Sequence, residues 1–346
     1  MRAIVVAGPG DLQVAERPDP VPGPRQVLLG VEWGGICGSD LSYVAHGASG
    51  TATLKHPMVL GHEVAGTVLA VGTDVTDVAV GARAAVYPAT PLDDRLPERL
   101  AGRTNLYPRT SYLGSAATDP HTDGGFSELL VVRADQLRPL PDGVDTRHGA
   151  LAEPLAVALH ALRRVESVLP GGVRGREVLV NGVGPIGALV VAAAKRQGAA
   201  RVLAADLNLD ALAIAGVLGA DELFNAAASL PEDVEIVVEA SGVGAALGGA
   251  LRATARGGVL VQVGNLGAQP TAAALGDLVT REITWIGSYR FVDEMDEAIA
   301  LLADGLVVDP IMTHSFDIDD AAEAFAVAAD RSTGSSKVML KLRAHP

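Results

Sequence analysis

The stretch that decides the fold is Val178-Leu179-Val180-Asn181-Gly182-Val183-Gly184-Pro185-Ile186-Gly187. Its apolar beginning is typical of a buried strand, and the residues that follow, to Gln197, have the composition of a helix. The glycines match the pattern G-x-G-x-x-G. In this pattern the first glycine permits a tight turn, the second lets the backbone approach a pyrophosphate, and the third allows the helix to pack closely on the strand. The stretch therefore predicts a phosphate-binding turn at the positive N-terminus of a helix.

The residues around this turn predict that the phosphates belong to a dinucleotide. Arg201–Ala205 has the pattern of the next strand, and Asp206 ends it about 20 residues after the glycines, where its carboxylate could accept both ribose hydroxyls. Asp206 would repel a 2′-phosphate, and Asp210 adds to that repulsion, which favours NAD over NADP. Without this context the glycines would indicate only turns. The predicted cofactor-binding residues of this region are Gly182, Gly184, Pro185, Ile186, Gly187 and Asp206.

Outward from the turn, strand and helix patterns alternate through the second half of the chain. This alternation predicts an α/β domain with a parallel, doubly wound sheet. The first 150 residues differ, because their apolar runs are short and are separated by clusters such as Pro20-Val21-Pro22-Gly23-Pro24. None of these runs has the length or the period of a helix, so they predict a mostly-β domain, either barrel-like or a sandwich. A chain of 346 residues is expected to form about two domains.

Composition argues against several classes of partner. The net charge is −14, with 41 acidic against 27 basic residues and no dense Lys/Arg run, so neither nucleic acid nor an anionic membrane is expected as a partner. The apolar run at the start is too short for a signal peptide. The most apolar window, Val178–Ala194, is short for a membrane span and contains glycine and proline. With one free thiol and no export signal, a cytoplasmic protein is expected.

Cys37 is the only cysteine and cannot form an internal disulfide. His62 and Glu63 follow within a short stretch of chain. Thiolate, imidazole and carboxylate together suit Zn²⁺ with one position left open, as in a catalytic site. The alternative from these residues alone is a cysteine that packs in the core beside two unrelated polar residues. A zinc ion beside a nicotinamide cofactor would imply alcohol oxidation, because zinc lowers the pKa of a bound hydroxyl and the nicotinamide accepts hydride. The dinucleotide pattern therefore favours zinc.

Five motifs carry a resemblance to a known family: Gly35-Ile36-Cys37-Gly38-Ser39-Asp40, Leu60-Gly61-His62-Glu63-Val64-Ala65-Gly66, Asp123-Gly124-Gly125-Phe126, Ala152-Glu153-Pro154-Leu155-Ala156-Val157-Ala158-Leu159-His160-Ala161, and Gly182 to Gly187. Through them the chain resembles, nearly end to end, the zinc-dependent medium-chain dehydrogenases, and among them the sorbitol and L-idonate 5-dehydrogenase branch. The resemblance implies a GroES-like catalytic domain at 1–150, completed by 290–346, and a Rossmann NAD-binding domain at 151–289.

The resemblance also implies the metal ligands. Cys37, His62 and Glu153 would surround the catalytic zinc, with Glu63 as a further ligand or an immediate neighbour. The two glutamates trade places with a bound water in this branch, so both are candidates. Without the resemblance, Glu153 would be interpreted as an acid that complements a helix dipole.

Substrate and cofactor contacts are implied in the same way. Ser39 matches the hydroxyl residue that passes the substrate proton outward. Tyr43 and Arg290 match positions that line the substrate pocket, although Arg290 alone would be interpreted as a solvated surface charge. Further cofactor contacts are implied at Ser241, Val263, Gly264 and Ser288.

The chain departs from many relatives at two places. Four cysteines that bind a second, structural zinc in those relatives have no counterpart in Pro88–Tyr107, so we predict one zinc per chain. Ser42 stands where many relatives carry a relay histidine, and a serine does not hold a proton near neutral pH. His46 could substitute for that histidine or be a simple loop residue. The cysteine-free lobe would be held by ion pairs, by a neighbouring subunit, or by packing of Leu92, Leu96 and Leu100.

The sequence thus predicts an NAD-dependent zinc enzyme that oxidises a secondary alcohol of a sugar acid or polyol. The resemblance implies L-idonate as the leading substrate, oxidised at C5 to 5-keto-D-gluconate, and Arg290 could pair with its carboxylate. The alternatives are a neutral polyol dehydrogenase acting on sorbitol, L-iditol or xylitol, and an inactive NAD-binding protein. A homodimer or homotetramer is expected from the resemblance.

Overall fold

A computed structural model describes residues 1–93, 95–266, 270–273 and 275–344. The chain divides into two compact units. The first contains Met1–Glu153, Met295–Gly305 and Met312–Pro346, and the second contains Pro154–Glu294 and Leu306–Ile311. The predicted bounds, 1–150 with 290–346 and 151–289, stay a prediction, and the two compact units differ from them at 151–153, 290–294 and 306–311. Within the described ranges, no helix has the length and apolarity needed to cross a membrane.

The first unit is mostly β, as predicted. Its strands are β1 (Arg2–Gly8), β2 (Asp11–Glu16), β3 (Gln26–Gly35), β4 (Ala48–Ser49), β5 (Ala52–Thr53), β6 (Met58–Val59), β7 (Glu63–Val71), β8 (Arg83–Val86), β9 (Ala89–Pro91), β10 (Thr110–Tyr112), β11 (Leu129–Arg133), β12 (Leu137–Pro139), β19 (Met312–Asp317) and β20 (Lys337–Lys341). Its helices are α1 (Gly38–His46), α2 (Thr146–Gly149) and α9 (Ala321–Ala329).

The long strand β3 organises this unit. It pairs antiparallel with β7 along one edge, and with β11 and then β20 along the other, within a seven-stranded sheet. Alternating residues of β3, including Val27, Leu29 and Val31, are fully buried in one apolar cluster. This packing fixes the register that holds the ends of β3 and β7 together, because a shift of one residue would turn the apolar side chains out of the core.

Helix α1 was not predicted from the sequence. It is short, and only Asp40 and Tyr43 of its residues are buried, so no apolar period marks it. The helix begins because Cys37 adopts an extended conformation at its N-cap and the Asp40 carboxylate accepts a hydrogen bond from the Cys37 backbone N–H at 2.9 Å. The side chain of Asp40 thereby stabilises the first turn of the helix, which begins at the residue after Cys37.

The cysteine-free lobe is held by a small hairpin. Strands β9 and β10 pair antiparallel, and the backbone N–H of Arg109 donates to the Asp93 carboxylate at 2.9 Å. Of the leucines predicted to pack in the lobe, Leu92 is 42% exposed, whereas Leu96 and Leu100 are half-buried. Residue 94 of the predicted lobe lies outside the described residues.

The second unit contains the predicted parallel sheet, whose strands have the order β15-β14-β13-β16-β17-β18. The strands are β13 (Glu177–Asn181), β14 (Arg201–Asp206), β15 (Glu222–Asn225), β16 (Val234–Glu239), β17 (Thr254–Gln262) and β18 (Thr284–Gly287). The helices are α4 (Pro185–Arg196), α5 (Leu209–Val217), α6 (Leu247–Ala253) and α7 (Gly276–Thr280); α3 (Ala152–Glu166) and α8 (Glu294–Ala303) connect the units along the chain. The two edge strands, β15 and β18, were not predicted from the sequence. Both are short and partly exposed, so neither has a continuous apolar run.

Candidate active site

Strand pairing brings three predicted ligands together in the first unit. Gly35 at the end of β3 pairs with Glu63 at the start of β7, and Cys37 follows two residues later. Donor atoms of Cys37, His62 and Glu63 lie within 4.8 Å of one another. His62 and Glu63 are buried and Cys37 is half-buried, so the set lies beneath the surface with its sulfur partly accessible.

Glu153 is close to these donors but does not belong to that set. It lies in the first turn of α3 and is buried, and its Oε1 accepts a hydrogen bond from the Tyr112 hydroxyl at 2.6 Å. Burial raises the pKa of Glu153, His62 lowers it, and the neighbouring charge of Glu63 raises it further. Of the four predicted ligands, the structure thus clusters three and holds the fourth beside them.

Asp40 connects the two chain segments that carry the ligands. Besides the Cys37 N–H, its carboxylate accepts the Gly61 N–H at 3.2 Å, and its Oδ1 lies 3.9 Å from Nδ1 of His62. The carboxyl is fully buried, which raises its pKa, while His62 acts in the opposite direction. Asp40 therefore fixes the backbone on both sides of the site and places an acidic group behind the imidazole.

Lys337 fixes Glu63. Its Nζ lies 2.8 and 2.7 Å from the two carboxylate oxygens of Glu63 and donates a further hydrogen bond to the carbonyl of Ile36 at 3.1 Å. Both side chains are buried, at 2% and 0% exposure. Burial alone would lower the pKa of Lys337, but the charge of Glu63 raises it above its ordinary value. The pair holds the carboxylate in one orientation.

The electrostatics of this cluster favour a cation. Burial lowers the pKa of His62, but Cys37 and Asp40, with Glu153, outweigh burial and raise that pKa well above its ordinary value. The surroundings thus stabilise positive charge at the imidazole. Sulfur, imidazole nitrogen and carboxylate oxygen are the ligand types that Zn²⁺ prefers. Both the donor types and the local charge therefore fit a zinc ion.

The predicted substrate and relay residues on α1 have different surroundings. Ser39 is half-buried in the first turn of the helix. Ser42 donates from its hydroxyl to the carbonyl of Ala48 at 2.6 Å, and His46 is exposed in the last turn. Tyr43 is only 2% exposed and its hydroxyl accepts the Ala116 N–H at 3.0 Å, so the ring packs in the core. Contact of Tyr43 with a substrate stays a prediction.

The glycine turn of the second unit has the shape that a pyrophosphate requires. Gly184 is the N-cap of α4 with Pro185 at its first position, and a Cβ atom built on Gly184 would meet nothing within 4 Å. A Cβ on Gly187 would lie 1.9 Å from the carbonyl oxygen of Gly182, so only glycine fits there. The open space at the helix N-terminus fits a phosphate group. Asp206 accepts the N–H groups of Val183 and Asn208 at 2.8 and 2.9 Å, which fixes its carboxylate beside the turn.

The other predicted cofactor residues lie near the carboxyl ends of β16, β17 and β18. The backbone N–H groups of Val263 and Gly264 donate to the Glu239 carbonyl at 2.8 and 2.9 Å. Ser241 donates to the buried Glu239 carboxylate through both its N–H and its hydroxyl. The N–H of Ser288 donates to the Gln262 carbonyl at 2.9 Å. Ligands of parallel α/β sheets bind at this end of the strands.

Arg290 follows β18 in a left-handed backbone conformation with φ of 53°, which is uncommon for a residue other than glycine. Its guanidinium lies 4.9 Å from the centre of the Tyr289 ring. Backbone strain of this kind persists where the surrounding structure enforces it, and it is concentrated at functional sites.

Sequence reasoning missed Asp40, Tyr112 and Lys337 as parts of the site. Asp40 had a signal, because an acidic residue three positions after the N-cap residue of a helix is a capping pattern. Tyr112 and Lys337 had none, since each is distant along the chain from the residue it contacts, 41 positions for Tyr112 and 274 for Lys337.

Comparisons with known proteins agree with this arrangement. Residues 23–142 match the family model of the alcohol dehydrogenase GroES-like domain, and residues 185–304 match that of zinc-binding dehydrogenases. Sorbitol dehydrogenase of Bos taurus is 38% identical over 352 residues, covering 98% of this chain and 95% of the relative.

Solved structures give the same picture. L-idonate 5-dehydrogenase of Escherichia coli K-12 superimposes with a TM-score of 0.90 at 33% identity, covering 98% of this chain and 97% of that one. A zinc-binding dehydrogenase of Sinorhizobium meliloti 1021, solved with NADP bound, has a TM-score of 0.87 at 29% identity, with 98% of each chain covered. The predicted fold, a GroES-like domain with a Rossmann domain, is confirmed.

Proposed function

The chain belongs to the zinc-dependent medium-chain alcohol dehydrogenase family, and on that premise we propose that it uses NAD to oxidise a secondary hydroxyl of a sugar acid. L-idonate is the leading substrate and 5-keto-D-gluconate the product. The observation that carries the proposal is the set of Cys37, His62 and Glu63, whose donors lie within 4.8 Å of one another. An inactive NAD-binding protein would have no need for these ligand types in one place.

The residues of the first unit would hold the metal and orient the reacting hydroxyl. Zinc, when bound, polarises the substrate hydroxyl, and the nicotinamide takes up the hydride. Cys37 and His62 would hold the metal together with a carboxylate. Asp40 fixes the backbone beside both, through the N–H groups of Cys37 and Gly61. Lys337 keeps Glu63 in a single orientation.

The proton released from the hydroxyl leaves by way of α1. Ser39 lies half-buried two residues after Cys37, and Ser42 follows it three residues later on the same helix. A serine hydroxyl passes a proton without holding it near neutral pH, so Ser39 hands the proton on to solvent or to Ser42. Replacing Ser39 by Ala should lower kcat while leaving the affinity for NAD unchanged, as measured by fluorescence titration.

NAD is proposed over NADP because of Asp206. Its carboxylate is fixed by two backbone N–H groups beside the glycine turn, where it favours ribose hydroxyls and repels a 2′-phosphate. The Sinorhizobium meliloti relative was solved with NADP, so the choice of nucleotide varies among similar proteins. A higher kcat/KM for NADP than for NAD would refute the proposed preference for NAD. Asp206→Asn, which keeps the size of the side chain, should reduce the preference for NAD.

The sugar-acid assignment rests on Arg290. A guanidinium pairs with a carboxylate through two parallel hydrogen bonds, which a neutral polyol does not offer. The left-handed backbone of Arg290 supports a functional role, because such strain is concentrated at binding sites. The likeness to L-idonate 5-dehydrogenase, with a TM-score of 0.90, adds support.

A neutral polyol dehydrogenase is the second candidate, and the 38% identity to sorbitol dehydrogenase over 98% of this chain favours it. The test is kcat/KM for NADH formation from L-idonate, sorbitol, L-iditol and xylitol. We expect L-idonate to exceed the polyols, and Arg290→Ala to lower its kcat/KM by at least about tenfold with little change for the polyols.

The matched control for Arg290→Ala is Arg256→Ala. Arg256 is an exposed cation near the amino end of β17, away from the carboxyl ends of the strands. Its replacement should change kcat/KM neither for L-idonate nor for the polyols. An equal or higher kcat/KM for sorbitol than for L-idonate would favour a neutral polyol dehydrogenase instead. We also propose a homodimer or homotetramer in the cytoplasm, where a reducing environment keeps the Cys37 thiol free.

A further inference from the structure

Tyr112 makes a contact that the proposed mechanism has not used. Its hydroxyl donates a hydrogen bond to Oε1 of Glu153 at 2.6 Å, and both side chains are buried. Its ring lies against that of His62 in a T-shaped arrangement, with ring centres 5.6 Å apart and planes inclined at 62°. Tyr112 therefore contacts one of the clustered donors and also the glutamate that stays outside the cluster.

The two glutamates are held by different donors. Both oxygens of Glu63 pair with Lys337, and Glu63 nevertheless belongs to the set of donors that lie within 4.8 Å of one another. One oxygen of Glu153 is bound by Tyr112, and Glu153 is outside that set. A buried carboxylate beside a cation would otherwise be drawn to it, because charges attract strongly where water is excluded. The hydrogen bond from Tyr112 opposes that attraction.

We propose that Tyr112 is a positioning residue that holds Glu153 back from the metal, so that Cys37, His62 and Glu63 form the resting ligand set. The position that Glu153 would otherwise take stays open for the substrate hydroxyl. This inference rests on the proposed function, since it presumes zinc at the cluster.

The test is Tyr112→Phe, which keeps the ring on His62 and removes only the hydroxyl. Glu153 then loses a hydrogen bond that competes with the metal, so the Zn²⁺ dissociation constant should fall by about tenfold, equivalent to about 1.4 kcal/mol. Competition with a chromophoric chelator measures it. In the Co²⁺-substituted protein, the visible bands should shift because a carboxylate has replaced solvent at the metal. kcat should fall, because the open position is occupied.

A second variant separates this role from simple packing. Glu153→Gln alone should leave zinc affinity within about twofold of wild type, because Glu153 is not a resting ligand; twofold corresponds to about 0.4 kcal/mol. Adding Tyr112→Phe to Glu153→Gln should have no further effect on zinc affinity. Thr254→Val is the control for loss of a buried hydroxyl, since Thr254 is fully buried in the second unit and its hydroxyl donates to the Ala250 carbonyl at 2.8 Å. It should leave zinc affinity unchanged.

The outcomes distinguish the inference from the proposed function. Unchanged or weaker zinc binding by Tyr112→Phe, with unchanged cobalt bands, overturns the role of Tyr112. A tenfold or larger loss of affinity in Glu153→Gln makes Glu153 a resting ligand and overturns it as well. A wild-type protein that binds no zinc at all refutes the proposed function, whatever the variants do.

Discussion

The buried pair of Lys337 and Glu63 offers a sharp test of the site's electrostatics. Replacing Lys337 by Met keeps most of the side-chain volume and removes the ammonium group. Glu63 then loses contacts at 2.8 and 2.7 Å while it remains 0% exposed, and the Ile36 carbonyl loses a donor at 3.1 Å. Breaking a buried ion pair in this way costs about 3–5 kcal/mol, because one charge is left buried and uncompensated. The metal-free protein should lose that much free energy of unfolding.

Zinc should reduce this loss. The cation supplies positive charge beside Glu63, so the carboxylate of the variant is no longer uncompensated when the metal is bound. Zinc should therefore stabilise Lys337→Met by at least about 1–2 kcal/mol more than it stabilises the wild type, a part of the lost pairing energy. The difference between the two metal states identifies the effect as electrostatic, since a packing defect would cost the same in both.

Urea unfolding of the first unit measures both quantities. The protein has two tryptophans, Trp33 in β3 and Trp285 in β18, so a Trp285→Phe background makes fluorescence report on the first unit alone. The comparison uses EDTA in one series and saturating zinc in the other. Lys341→Met, at the exposed end of the same strand, removes a charge without a buried partner and should cost less than about 0.5 kcal/mol. If Lys337→Met costs no more than Lys341→Met, or the same with and without zinc, the reasoning is refuted.

Other regions give further predictions. Gly184→Ala should leave the free energy of unfolding within about 0.5 kcal/mol of wild type, because the added Cβ would meet no atom within 4 Å. It should weaken NAD binding at least about tenfold in fluorescence titration, and an unchanged affinity would count against the phosphate site. Gly187→Ala should cost about 1–3 kcal/mol in urea, since its Cβ would lie 1.9 Å from a backbone oxygen, and a neutral result would contradict the close approach. Burial raises the pKa of Glu294, but hydrogen bonds from His160 and the backbone lower it overall from 4.5 to about 2. The ionised carboxylate should therefore contribute about 3 kcal/mol to the free energy of unfolding above pH 4.5, and this contribution should be lost as the pH falls toward 2. Glu294→Gln should flatten the pH dependence of that free energy over this range. The control Glu166→Gln, at an exposed residue, should leave it unchanged.

Much of the fold could be predicted because its signals are local. The turn at Gly182–Gly187 needs particular residue types at fixed spacing, and the central strands of the parallel sheet are buried on both faces, so their apolar runs are continuous. Strand β15 lacked a continuous apolar run and helix α1 lacked an apolar face, although the capping position of Asp40 was a local signal for α1. Helix α1 begins where the Asp40 carboxylate accepts a hydrogen bond from the Cys37 N–H.

The ligand types of the site could be predicted, but not their arrangement. Cys37, His62 and Glu63 were identified because thiolate, imidazole and carboxylate ligands are chemically distinctive and lie close in sequence. We attribute the difference between Glu63, which joins the cluster, and Glu153, which stays beside it, to their contacts with Lys337 and Tyr112. These contacts arise only when distant strands pair, as when β20 aligns beside β3, and no local pattern encodes them.

The decisive experiment is zinc titration of the metal-free protein, with NADH formation measured from L-idonate and from the polyols. We expect no activity without metal, a rise that saturates at about one zinc per chain, and no rise in Cys37→Ala. Activity that persists after complete removal of zinc, or that requires two zinc ions per chain, would contradict it.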